Sequence, residues 1–547
     1  MPLRPFVLAF AVALFGAAGA RAASVCASSC YQAPAGSGPL FMFSGHGWGH
    51  GIGMSQYGAF GYAQHGWGFQ QILAHYYPGT TLSTTGDTQV RVLLADRRKQ
   101  LTISSTVPFT VTDGSGRTLT LTAGPVTFGA GLALSGTHLT APLTFHAGAG
   151  GPLSLARAYR GQILVDVVDG KLRAVNIVPL EQYLYGVVPA EMPATWAPEA
   201  LKAQAVAARS YALATRLAAA PYDVYADTRS QMYLGLSVET AASSAAVDAT
   251  KYQVLMFAGK IATTYFSSSS GGESTSIADA WGVSPVPYLV AVPDPYDTIS
   301  PYHNWGPVPV TGQKIGAALK VQGSIMDAST TLNGSGRVNQ LDLLTLPPFG
   351  GMTQTAVPAG TVQGALGLRS TWFNVGVLSL VPASPAAPIA YGSTVQLTGL
   401  VRGVAGVSLE ARLVTGTWQP VGPIVPAADG TVTLTEQPQF TTDYRLATTS
   451  AAAAYVRIKV TPAVTLSSTA TPGAVSGSEQ PPLPGAPVTV QQQAADGTWT
   501  TVATGAVAAD GSFSVPVQLV AGSTYRVVIA PGQGWWPATT TSLIAAG

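Results

Sequence analysis

Charge is scarce in this chain: 27 Lys and Arg and 25 Asp and Glu among 547 residues, 10% where soluble domains carry about 25%. So little charge excludes a disordered polyelectrolyte. A formal net charge of +2 supplies no basic stripe able to neutralise a run of phosphates, which argues against nucleic acid as a partner. Cysteine is limited to Cys26 and Cys30, four apart and placed where an oxidising compartment would let them close a small loop. Long apolar runs are missing after the N-terminus. There, Arg4, an apolar run from Phe6 to Ala18 and Ala20-Arg21-Ala22 read as a secretory signal over 1–22, with the mature chain starting at Ala23. That run is too short for a bilayer core of about 30 Å. The expectation is a secreted protein of the cell wall or periplasm, not inserted in the membrane once the signal is cleaved.

What the chain does contain is apolar and turn-forming: 47% hydrophobic residues, 61 Gly and 40 Pro. This composition fits roughly three or four compact, largely β domains, and an uncharged, carbohydrate-like partner. Strand patterns at Gln89–Leu94, Thr118–Thr122 and Leu164–Val168, with helix expected only at 196–218 and near Gly312–Leu319, give α+β with sheet dominating. The C-terminal third repeats itself. An offset of 81 pairs Gly416-Thr417-Trp418 with Gly497-Thr498-Trp499, Asp429-Gly430 with Asp510-Gly511, and Tyr444-Arg445 with Tyr525-Arg526. Short Val- and Thr-rich runs between Asp-Gly turns predict two β-sandwiches, 384–463 and 464–547, resembling immunoglobulin-like modules of bacterial surface proteins. They read as spacers or wall-binding units, and the repeated Trp is expected in the core.

Two blocks carry chemistry. In Gly45-His46-Gly47-Trp48-Gly49-His50-Gly51-Ile52-Gly53 every second residue is Gly. An extended chain there would present one bare face and one face bearing His46, Trp48 and His50. Glycine costs about 0.5–1 kcal/mol against Ala at each position, so the run implies a close approach by ligand or backbone. Histidines satisfied within a tightly packed core are the other reading. Zinc on His46 and His50 would need an i, i+4 pair on a helix, which this much glycine forbids. The second block runs from Pro179 to Tyr211. Its later part predicts a helix with Thr195 as cap, Pro198 in the first turn and Glu199 on the dipole, burying Leu201, Ala205, Ala208 and Ala212. Lys202, Arg209 and Arg216 share a second, solvated stripe. Glu191 stands in the loop before this helix, where Met192, Pro193 and Trp196 would desolvate its carboxyl toward a general-acid pKa; an ordinary ion-pairing Glu is the alternative.

The Glu191–Tyr211 run, the Ser267-Ser268-Ser269-Ser270-Gly271-Gly272 block with Trp281-Gly282 and Tyr288-Leu289, Asp294-Pro295, Leu366-Gly367-Leu368-Arg369-Ser370-Thr371, and the Gly-Trp-Gly-His-Gly segment running to Thr80 together resemble the SpoIID/LytB family of bacterial cell-wall proteins. The resemblance covers about 41–380. It implies a lytic transglycosylase acting on peptidoglycan glycan strands, typically peptide-free ones, with Glu191 as catalytic acid and Arg209 as a residue needed for activity. His46, Trp48, His50, Gln56, Gln204, Tyr211 and Ser270 are expected to contact substrate. The glycine block opens this domain where in the family it usually closes it, so the module, 41–383, reads as circularly permuted in its 41–83 block, which should pack beside the segment ending near Val375. Residues 23–40, with the two cysteines, read as a linker. Some family members bind zinc through Cys and His in the Ser-Gly-Gly region; this chain has neither there, so no metal or cofactor is expected. Only one carboxylate is well supported, where a glycoside hydrolase needs two. A non-catalytic wall protein that binds glycan and recruits or stimulates an amidase is the second reading, and a metal-dependent wall hydrolase built on His46 and His50 the third.

Overall fold

The computed structural model describes residues 25–545 apart from 28, 218, 383–386 and 468–472; the expected signal segment, 1–22, lies outside the described residues. The fold is α+β, rich in sheet.

The sheet nearest the site has seven strands, in the order Val224–Tyr225, Gln89–Arg98, Lys171–Pro179, Gln162–Val168, Leu143–His146, Phe109–Thr112 and Thr118–Leu121. Period two is visible in Phe109–Thr112, whose Phe109 and Val111 are buried while the threonines are half-buried. One end of the sheet closes a β-only core that includes Leu101, Phe128 and Phe145. The other end is covered by helices. Five helices matter here: α1 (Gln56–Gln64), α2 (Phe69–Tyr76), α3 (Leu180–Glu191), α4 (Pro198–Ala214) and α5 (Ala241–Ala249). The strand Lys171–Pro179 runs straight into α3, with Pro179 at the N-cap. Val90, Val92 and Val178 of the sheet share a core with Tyr183, Leu184 and Val187 of α3 and Leu201, Ala205, Ala208 and Ala212 of α4.

The opposite side of α4 contributes Ala203, Val206 and Ala207 to a second core with Ile72, Leu73 and Tyr76 of α2. Alanine on both sides lets neighbours approach a central helix from every direction; enlarging such positions costs typically about 1–3 kcal/mol. Two expectations fail here. The N-cap of α4 is Ala197, without a side-chain cap, not Thr195; Glu199 meets the helix start instead, accepting from Lys202 and from the backbone N–H of Phe69 at 2.8 Å. Nor is the Lys202–Arg209–Arg216 stripe a solvated face, because Arg209 is completely buried.

The glycine block is not an extended strand. The strand Leu40–His46 stops at its start, and Gly47, Gly49, Gly51 and Gly53 all take positive φ, from 66° to 109°, so alternate residues follow left-handed turns that side chains resist. The closely approaching object is the chain itself, backbone at Gly47 and side chains at Gly49 and Gly51. A Cβ on Gly47 would lie 2.7 Å from the Ser269 carbonyl oxygen, and one on Gly51 2.5 Å from the Arg337 guanidinium. The run ends at Ser55, which caps α1 by accepting from Gly58 N–H at 3.0 Å.

Strand Leu40–His46 lies between Asn304–Thr311 and Phe373–Pro382, with Leu40 opposite Leu378 and Gly45 opposite Phe373, so the block does sit beside the segment ending near Val375. The same sheet continues through Val395–Arg402 and Thr431–Glu436. Both faces of Leu40–His46 are covered: Phe41 and Phe43 enter one core, Leu40 and Met42 that of the first C-terminal repeat. The 23–40 segment docks on this repeat too, with Tyr31–Gln32 pairing parallel with Ala451–Ala452 and Cys26 and Cys30 joined as a disulfide. The strands of each repeat pair mainly antiparallel, with Ile389–Ala390 and Val460–Thr461 parallel in the first; the core of the first includes Leu40, Met42 and Leu378, and the second has a core of its own. The repeated Trp is half-buried rather than central: Trp418 stacks under Arg445 at 4.0 Å and Trp499 under Arg526 at 4.3 Å.

Candidate active site

Glu191 is the last residue of α3, not a loop residue. Its Oε1 accepts the Met232 backbone N–H at 2.7 Å. Burial raises its pKa above the usual carboxyl value, partly offset by Met232 and by the Gln56 amide. The helix C-terminus acts in the same direction, since its partial negative charge disfavours a carboxylate. Among the described residues no salt bridge holds this side chain, and no second carboxylate perturbs it. Tyr183 and Tyr211 are close enough for the carboxylate to disfavour ionisation of their hydroxyls. Gln56 Nε2 and Tyr183 Oη are buried without a hydrogen bond of good geometry, and both act on the acid, so polar atoms with capacity to spare lie beside it.

An aromatic ridge runs from Trp196, in the turn between α3 and α4, to the glycine block. Trp196 stacks on Phe60 at 4.6 Å and meets Tyr57 at 4.7 Å. Tyr57 lies 6.4 Å from Tyr302, which meets Trp48 at 4.3 Å. The Arg369 guanidinium sits 4.5 Å from the Tyr302 ring and 5.0 Å from Trp48. Trp48 is 41% exposed and Tyr57, Phe60, Trp196 and Tyr302 are half-buried, an arrangement able to stack sugar faces. The glycine block thus reaches Glu191 in two ways, through Trp48 and this ridge and through Gln56 at the start of α1.

The remaining expected residues separate. His46 lies 4.9 Å from Trp372 and 6.4 Å from His303. His50 turns elsewhere: its Nδ1 accepts from Ile52 N–H at 3.0 Å, its ring faces Tyr265 and Trp281, and burial with Arg337 pushes its pKa down to about 4. The two rings therefore occupy different surroundings. Arg209 requires correction: it neither orients Glu191 nor contacts glycan. Its guanidinium, with no exposure, makes two bonds to Glu181, 2.9 Å to Oε1 and 2.7 Å to Oε2, and a third to the Gln253 carbonyl at 3.0 Å. A buried arginine must be paired, and α3 and α4 supply the pair. Gln204 is buried in α4 with both amide atoms unpartnered. Tyr211 is half-buried on the Glu191 side, against Tyr265. Ser270, 1% exposed, donates to Asp294 Oδ2 at 2.7 Å and serves an internal network instead of lining the cleft.

That network was not foreseen. Asp297, fully buried, accepts from Ser55 Oγ at 2.9 Å, Ser269 Oγ at 2.8 Å and Gly271 N–H at 3.0 Å, and pairs with His303 Nδ1 at 3.1 Å. Asp294 beside it is pushed up to about 6, chiefly by burial. The pair fixes Ser55, hence the cap of α1 and the position of Gln56. Asp294-Pro295 and Arg369 were visible as motif members; Met232, which acts through its backbone, leaves no side-chain signal. Among the described residues no three His, Cys, Asp or Glu side chains gather as metal ligands do.

Residues 168–257, which hold α3, α4, Glu191 and Met232, match the SpoIID family model, described as Stage II sporulation protein. An uncharacterised protein of Brachyspira hyodysenteriae (strain ATCC 49526 / WA1) is 40% identical over 137 residues, 24% of this chain and 37% of its own length. The Amidase enhancer of Bacillus subtilis (strain 168) is 43% identical over 115 residues, 21% and 15% of the two lengths. Stage II sporulation protein D of the same organism is 35% identical over 147 residues, 24% and 42%. The chain thus spans less than half the length of each of these three.

Proposed function

We propose, since the chain belongs to the SpoIID/LytB family through its α3–α4 segment, that this cell-wall-related protein is a peptidoglycan lytic transglycosylase with one acid, Glu191. The observation that carries the reading is a half-buried carboxyl without an ion pair, its pKa raised, on the helix end that precedes Trp196 and its aromatic ridge. Protonated Glu191 gives its proton to the glycosidic oxygen as the bond to the anomeric carbon breaks. The resulting carboxylate takes the proton of the muramic acid 6-hydroxyl while that oxygen bonds to the anomeric carbon. The product is a 1,6-anhydromuramyl end, and Glu191 is protonated again. The substrate's own hydroxyl replaces the second carboxylate that a hydrolase requires. Met232 N–H and Gln56 steady the ionised form between the two transfers, while Trp48, Tyr302 and Trp196 provide stacking surfaces and His46 a polar edge.

The two C-terminal repeats are read as immunoglobulin-like spacers or wall-binding units, and the protein as secreted, acting at the cell wall or in the periplasm on glycan strands, peptide-free ones above all. Mass spectrometry of products from peptide-free glycan tests the assignment: wild type should yield anhydro ends and Glu191→Gln none, and equal yields would end it. The match to an Amidase enhancer favours a second reading, a glycan-binding protein that stimulates an amidase. It predicts equilibrium binding to glycan without new anhydro ends, and higher amidase turnover on addition of Glu191→Gln.

A further inference from the structure

Behind the Met232 backbone that holds Glu191 lies a cavity of about 610 Å³, within the range of about 300–1,000 Å³ usual for ligand sites. Its floor is the edge of the large sheet, where Val224–Tyr225 pairs parallel with Val92–Leu93, and Met232 stands in its wall. The N–H of that residue donates to Glu191, so one backbone segment is shared by the acid and the cavity wall. The lining is polar and cationic in excess, with three guanidiniums against the carboxylates of Asp96 and Asp227. Arg229 is taken up by Asp227 at 2.7 Å and stacks on Tyr225 at 3.9 Å. Arg98 and Arg157 are exposed and make no ion pair among the described residues. Tyr222 donates to the Tyr225 hydroxyl at 3.2 Å, joining the rings into one wall. Two free guanidiniums beside a tyrosine wall suit a sugar chain that carries carboxylates.

We infer that this cavity is a second subsite, for a carboxylate-bearing stretch of wall polymer flanking the linkage presented to Glu191, with Arg98 and Arg157 as the anion-binding pair. The inference rests on the lytic reading above and names what that site recognises beyond the scissile bond. The carboxylate has two sources in peptidoglycan, the lactyl group of muramic acid and the stem peptide.

The test measures dissociation constants in the Glu191→Gln background, which prevents turnover, for three probes: peptide-free glycan oligomers, neutral N-acetylglucosamine oligomers and a free stem tetrapeptide. Arg98→Ala/Arg157→Ala should weaken the anionic probe by about tenfold, as expected for losing charge-assisted contacts, and flatten its salt dependence. Arg98→Lys/Arg157→Lys should recover part of the loss, and neutral oligomers should bind all variants alike. Arginine-dependent binding of peptide-free glycan assigns the lactyl group; arginine-dependent binding of the tetrapeptide assigns the stem. Unchanged affinity for both anionic probes, or equal losses on the neutral one, overturns the subsite; superimposable melts guard against misfolding. Wild type that makes no anhydro ends yet shows arginine-dependent binding keeps the subsite and loses the lytic reading. Anhydro products with arginine-independent binding do the reverse.

Discussion

Helix α3 carries a glutamate near each end, and the two have opposite fates. Glu181, in the first turn, is buried against Arg209 with a two-pronged ion pair and meets the positive end of the helix dipole. Glu191, in the last turn, has no cation among the described residues, meets the negative end, and is raised by burial. Residue type is shared; exposure, pairing and dipole end differ, Glu181 being buried and Glu191 half-buried. One carboxyl is tied to an arginine and holds α3 to α4, and the other is left without a cation and can carry a proton. Family resemblance implied that Arg209 is needed for activity; the structure shows its guanidinium spent on Glu181, a bond that ties α4 to the first turn of α3 and does not reach Glu191.

The sharpest break of this contrast is Glu191→Gln, which should lower turnover by about a thousandfold, in line with loss of a general acid, with folding intact. A raised pKa means the folded state holds the proton more tightly, so the contribution to stability is full below the ordinary carboxyl pKa and declines as pH rises through the folded value. The Gln variant, unable to ionise, should therefore melt no lower than wild type at pH 7. Next in size is Arg209→Ala, which strands Glu181 without its partner; about 3–5 kcal/mol of stability should be lost, measured by denaturant unfolding, with KM less affected than the folded fraction. Arg209→Lys should recover part of it.

A smaller effect comes from Asp294, raised to about 6. Stability from its protonated form is complete below about pH 4 and fades as pH passes about 6, so Asp294→Asn should remove that decline from the melting profile. Gln56→Leu removes a group that favours the ionised Glu191, so the alkaline limb of the rate profile should move to higher pH; a shift to lower pH would contradict the account of the acid. The least effect belongs to Lys202→Ala: its pair with Glu199 at 2.6 Å is partly solvated, and its loss should cost about 0.2–0.5 kcal/mol.

Much of the fold was legible. The strand expected over Gln89–Leu94 and found over Gln89–Arg98, and the helix at Gly312–Leu319, follow from periodicity and turn residues, which act locally. Helices α1, α2, α3 and α5 were not foreseen. Gly58 and Gly61 make α1 look unhelical, yet a Cβ on Gly61 would lie 2.5 Å from the Tyr296 carbonyl oxygen, so those glycines serve the approach of 294–297. The repeats show the same division. Where the first has Glu410 paired with Arg445, the second has Gln491 Oε1 accepting from Arg526 at 2.8 Å. The offset of 81 aligns these positions, but only the structure shows the 23–40 segment covering the first pair through Gln32.

By itself the sequence determined part of the strand set, the helices at Pro198–Ala214 and Gly312–Leu319 and which residue is the candidate acid, because hydrophobic period and motif chemistry reside in neighbouring residues. Tertiary structure alone decided which charges are spent on each other. Glu181 and Arg209 are 28 residues apart, Met232 is 41 from Glu191, and Asp297 is 242 from Ser55. Desolvation and ion pairing depend on distance in space, and these contacts exist only once α3, α4 and the glycine block are packed together.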